Sequence, residues 1–135
     1  MAKRQSPARD ARNPNHIQFQ RATVDYGTAD AASVNSAAGL QVVTLSKGAF
    51  VIGTQVVVEA LLAGGTPALK FGTTVGGADL IANNAYAAVA IGALTVPATQ
   101  ATFALPLAAD TPIYARDTGA ATTSGKVHAI VQSVF

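Results

Sequence analysis

The chain contains no cysteine and no tryptophan, and over its 135 residues only 6% are aromatic and 12% charged. Without thiols there can be no disulfide, no thiolate metal site and no cysteine nucleophile. So few aromatics leave little for stacking against the bases of single-stranded nucleic acid. Charge is scarcest in the middle, where thirty consecutive residues, Leu80 to Ala109, carry none. Even so, Asn83, Asn84, Pro97, Gln100 and Pro106 interrupt that run before about 20 apolar residues accumulate, so no membrane span is expected. Small, apolar, β-prone residues in such a run fit strands buried on both faces or pressed against another subunit.

The charge that is present is divided. Residues 1–21 carry Lys3, Arg4, Arg9, Arg12 and Arg21 against Asp10, a net of +4. Residues 22–135 carry Lys47, Lys70, Arg116 and Lys126 against six carboxylates, a net of −2. Up to residue 38 bulky apolar groups are few, Ile17, Phe19, Val24 and Tyr26 among them. A segment so polar buries too little surface to offset its ordering entropy, which predicts an extended basic arm over 1–38 and a folded domain over 39–135. The pairs Ile17/Phe19 and Val24/Tyr26 alternate with polar neighbours, so each could add a short strand to a neighbouring sheet edge. The opening MAKRQSPAR is not followed by an apolar stretch of roughly 7–15 residues, and no export signal is expected.

From Leu40 onward a period of two predominates. Strands are expected over Leu40–Ser46, Ala49–Leu62, Pro67–Thr73, Tyr86–Val96, Ala101–Leu107, Pro112–Arg116 and Lys126–Phe135. In the second, Ile52, Val56, Val58, Ala60 and Leu62 share the inward parity, Gln55, Val57, Glu59 and Leu61 take the other, and Gly53 marks a bulge or bend. Phe103, Leu105 and Leu107 are expected inward on theirs. About eight short strands joined by Gly, Pro, Ser and Thr turns predict an all-β protein, a jelly-roll-like β-sandwich with a thin, aromatic-poor core.

The inventory for chemistry is small. His16 falls in the arm, and His128 alternates with Lys126 and Gln132 on an outward parity, as a solvated or interface histidine does. Neither has zinc-ligand spacing. Asp110 and Asp117 flank the PIYAR strand with the character of turn caps, and Glu59 is placed to pair with a lysine across a sheet or a subunit boundary. The glycines at 64–65 and 72–77 match no phosphate-loop pattern. No catalytic residue, cofactor or metal is expected. Four or five cations in a flexible arm bind nucleic acid weakly at physiological salt, and an acidic protein surface suits them better.

The pieces Val51-Ile52-Gly53 with Val56-Val57-Val58, then Phe71-Gly72-Thr73, then Ala78-Asp79-Leu80-Ile81-Ala82 follow one another in a suggestive order. With Pro112-Ile113-Tyr114-Ala115 and the closing KVHAIVQSVF, the chain from 39 to 135 resembles the capsid decoration, or cement, proteins of tailed bacteriophages. The resemblance implies a non-enzymatic β-sandwich on the exterior of an icosahedral shell, made in the host cytoplasm. It also implies a homo-oligomer, often a trimer, that joins neighbouring subunits of the major capsid protein. Lys3, Arg4, Arg9, Arg12, Ile17, Phe19 and Arg21 would then form a capsid-docking arm, and Val57, Glu59, Leu61 and Ile130 a subunit interface. The alternative is a carbohydrate-binding or fibre-type attachment module, for which Tyr26, Tyr86 and Tyr114 are the available aromatics.

Overall fold

Alternation decides the long strands. Along the chain's closing segment, Val127, Ala129, Val131 and Ser133 are buried while Lys126, His128, Ile130 and Gln132 between them keep partial exposure, as a sheet with one covered face requires. The computed structural model describes residues 17–82, 91–96, 103, 105–119 and 121–135. Within them are β1 (Ile17–Asp25), α1 (Asp30–Val34), β2 (Leu40–Leu45), β3 (Phe50–Ala63), β4 (Leu69–Gly72), β5 (Gly92–Val96), β6 (Thr111–Asp117) and β7 (Ser124–Val134). They form two antiparallel sheets, a four-stranded one in the order β1-β7-β3-β5 and a three-stranded one in the order β2-β6-β4. Odd-numbered strands make one sheet and even-numbered strands the other, so each connection between successive strands crosses the molecule. The architecture is a β-sandwich.

The core lies between the sheets. Ala22, Val24, Val51, Val56, Val58, Val127, Ala129 and Val131 of the first sheet meet Leu45, Leu69, Phe71, Ile113 and Ala115 of the second. Alanine and valine dominate the first set, which keeps the layer thin; Phe71 is the largest side chain with no exposed surface. Gly72, ending β4, lies so close to the Gly77 backbone and the Asp79 carboxylate that a Cβ there would come within 2.7 Å of Gly77 C and O. Asp79 holds that loop by accepting the Thr73 N–H at 2.8 Å and the Thr73 hydroxyl at 2.6 Å.

A buried carboxylate ties the two sheets. Asp117 ends β6 with no exposed surface. Its Oδ2 accepts the Tyr26 hydroxyl at 2.8 Å and the Thr122 hydroxyl at 2.5 Å; its Oδ1 accepts the N–H groups of Gly119 at 2.9 Å and Ala68 at 3.0 Å. Burial pushes this carboxyl up, but the hydrogen bonds from Thr122, Tyr26, Ala68 and Gly119 together outweigh it and hold it below its ordinary value. The Tyr26 hydroxyl is pushed well above its ordinary range by burial and by that same carboxylate.

The structure differs from the sequence reading at three places. Strand β1 begins at Ile17, inside the segment expected to be an arm, and pairs along all nine residues with β7 of its own chain. Val24, Tyr26 and Val34 are buried there. Ile52 and Ala60, expected inward, are exposed, because β3 shifts register between Val51 and Gly53 and again between Val58 and Ala60. Leu105 is 75% exposed and residues 105–110 are not in a strand; Leu107 instead exchanges backbone hydrogen bonds with Gly48 and Ala49. Of the expected strand Tyr86–Val96, Gly92–Val96 is strand and residues 86–90 lie outside the described residues.

Candidate docking interface

The face of the four-stranded sheet turned away from the core collects most of the residues expected to make contacts. Inward parity on β1 belongs to Ala22 and Val24, so Ile17, Phe19, Arg21, Thr23 and Asp25 take the outward one. Cross-strand register then sets rows. Ile17 lies opposite Val134, which lies opposite Phe50; Phe19 opposite Gln132 and Gly53; Arg21 opposite Ile130 and Gln55; Thr23 opposite His128 and Val57.

The first two rows are open and, Gln132 apart, without polar side chains. Phe19 is 65% exposed, Ile52 52%, Ile17 45% and Phe50 40%. Between them Gly53 contributes no side chain, and Gln132 lies over it, with its Oε1 3.5 Å from where a Cβ of Gly53 would be.

The far rows are polar and tied together. His128 Nε2 is 3.0 Å from Glu59 Oε1, His128 Nδ1 is 2.9 Å from the Thr23 hydroxyl, and Lys126 Nζ is 3.2 Å from Glu59 Oε2. With Nε2–H donating to the carboxylate, Nδ1 accepts the Thr23 hydroxyl. The hydrogen bonds from His128 and then Lys126 hold the Glu59 carboxyl below its ordinary value. A hydroxyl, an imidazole and a carboxylate in line are the parts of an acyl-transfer relay, but a relay also needs donors aimed at a developing oxyanion. Here the three residues sit on adjacent strands whose backbones pair with one another. The line joins β1, β7 and β3 across their outer surface. Among the described residues no group of three or more His, Asp or Glu side chains is placed to hold a metal ion.

Ile17, Phe19 and Arg21, from the expected arm, and Val57, Glu59 and Ile130, from the expected interface, thus share one face. Val57 and Ile130 are half-buried among their neighbours; Glu59 and Leu61 are exposed. Lys3, Arg4, Arg9, Arg12 and His16 lie outside the described residues. Phe50 and Ile52 escaped the sequence reading, although Gly53 was the available signal: a bulge there reverses the parity of everything before it. Of the aromatics available for a sugar platform, Tyr26 is buried on Asp117 and Tyr114 is half-buried; Tyr86 lies outside the described residues.

No protein-family model and no curated protein sequence matches the chain. Solved structures of similar fold include a chain from the capsid asymmetric unit of cyanophage Pam1, at 18% identity and a TM-score of 0.59, covering 100% of this chain and 92% of that one. A chain of the acidic stable capsid of Helicobacter pylori bacteriophage KHP30 matches at 14% identity and 0.59, covering 88% and 87%. One from the capsid of Ralstonia phage GP4 matches at 18% and 0.57, covering 97% and 90%. The likeness is one of fold.

Proposed function

We propose that this chain is a non-enzymatic structural protein of a phage virion that binds the outer surface of the capsid and cements neighbouring coat subunits. The observation that carries the reading is the likeness of fold to three phage capsid chains, each itself spanned over 87–92% of its length. The likeness is to whole small chains within capsids, not to one domain of a much larger one. The alternation of strands between the sheets supports a jelly-roll assignment for the body. The virion exterior is the site of action, the host cytoplasm the place of synthesis, and the major capsid protein the partner. A homotrimer meeting through Val57, Glu59, Leu61 and Ile130 fits the outward placement of that set.

Such a protein stabilises the assembled lattice because it binds that state and not free subunits. The basic residues that precede β1 in the sequence would add a tethered second contact, which raises avidity when both engage together. The test is co-sedimentation of the purified chain with heads of the encoding phage assembled without it. Saturable binding that raises the heat resistance of the heads is expected; no binding overturns the reading. Removal of residues 1–16 leaves β1 whole, and is expected to weaken binding at least about tenfold while the melting temperature holds. Full binding by that truncation overturns the part assigned to Lys3, Arg4, Arg9 and Arg12.

A further inference from the structure

Single exposed apolar side chains are ordinary on a protein surface, and a contiguous group rimmed by polar residues is not. Ile17 and Phe19 of β1 and Phe50 and Ile52 of β3 stand on either side of β7, with Val134 between Ile17 and Phe50. Gln132 lies between Phe19 and Gly53 and covers the latter. Two aromatic rings at a half-open apolar centre, with charge moved to the edge, is the composition of a docking surface core. The rim is cationic on the near side. Arg21 stands in the next row with no ion pair among the described residues, and the +4 segment 1–21 is continuous with β1. On the far side the rim is closed by Glu59, His128, Lys126 and Thr23, which satisfy one another.

This charge arrangement selects the occupant. The carboxylates on the same face are engaged, Glu59 by His128 and Lys126, and Asp25 by the Gly27 N–H at 2.9 Å. A second copy placed face to face would offer Arg21 only Glu59, already paired with His128 and Lys126, and Asp25, already accepting the Gly27 N–H. We infer that the Ile17, Phe19, Phe50 and Ile52 end of this sheet seats an apolar, acid-rimmed surface of a different protein. Resting on the function proposed above, that protein is the coat subunit. Coat contact and copy-to-copy contact then use opposite ends of one face.

The test compares wild type with the double variant Phe19→Ser, Phe50→Ser, with Ile52→Asn and with Arg21→Glu, each checked by thermal melting. Co-sedimentation with heads lacking the chain gives the affinity. The apolar variants are expected to bind at least about tenfold more weakly at unchanged melting temperature, since all three side chains are substantially exposed. Arg21→Glu is expected to weaken binding and flatten its dependence on salt. Wild-type binding to heads together with undiminished binding by both apolar variants overturns this inference and leaves the proposed function standing. Failure of the wild type to bind overturns both. Two parallel measurements give the other occupants: a change of mass in sedimentation caused by the apolar variants assigns the face to a second copy. Wild-type capture by phosphatidylglycerol vesicles that the variants lose assigns it to a lipid surface. Either overturns the inference.

Discussion

At the scale of single residues, Asp117 carries the most consequence. Two hydroxyls and two backbone N–H groups converge on a carboxylate with no exposed surface, and its removal would leave the two hydroxyls buried and all four donors without this partner. Asp117→Ala is expected to cost about 3 kcal/mol or more in urea unfolding, and Tyr26→Phe about 1–3 kcal/mol. Because folding lowers the carboxyl's proton affinity, its contribution is complete above the ordinary value of 3.8 and drains away as pH falls below it. Urea midpoints measured from about pH 6 down to about pH 3 should therefore fall, and fall less steeply in Asp117→Asn. Glu59 has the same sign but stands in solvent, where screening leaves it little effect. The Gly119 part of this site was legible, since an aspartate two residues before a glycine caps a turn. The Tyr26 part was not, because 91 positions separate the partners and no local rule relates them.

At the scale of elements, two glycines make the contrast. At Gly72 an added methyl would meet the Gly77 backbone, which cannot swing aside as a side chain can. Gly72→Ala is expected to destabilise by about 1–3 kcal/mol through overpacking. At Gly53 the nearest atoms belong to the flexible Gln132 and stand at ordinary contact distance, so Gly53→Ala is expected to shift stability by less than about 1 kcal/mol. Thermal melting of the pair separates the two. Strands β2, β6 and β7 were legible almost to their ends, since their alternation is regular and their turns are marked. Strand β3 was legible in extent but not in facing, because three register shifts reset a pattern that a strict period of two cannot follow. Strand β1 was misjudged as arm: composition counts apolar residues, whereas what orders β1 is a full ladder with β7, a partner 105 positions away at Thr23 and His128.

At the scale of the whole molecule, sandwich architecture followed from strand number and turn chemistry, while the pairing of sheets did not. Nothing local says that β7 belongs between β1 and β3, and the outward face that carries both sets of residues exists only once it does. The residues of that face were therefore found as two separate groups, an arm and an interface, and merged only in three dimensions. Phe71→Ala, at the centre of the core, is expected to cost about 3–5 kcal/mol, and to lower the melting temperature far more than any single change on the outward face.

The placement of β7 also bears on when the protein can fold. A ribosome delivers strands in order, and among the described residues β7 is the last strand. Until it emerges, β1 and β3 have no neighbour to share, and half of the first sheet remains open. Folding should thus wait until synthesis has passed Val134, and then proceed at the milliseconds-to-seconds pace of topologies built from distant pairings. Nascent chains stalled before Ser124 should be digested by protease as readily as unfolded polypeptide. Protection should appear in one step once Val134 has cleared the exit tunnel. Gradual protection, strand by strand, would mean that the earlier strands fold in some other pairing first.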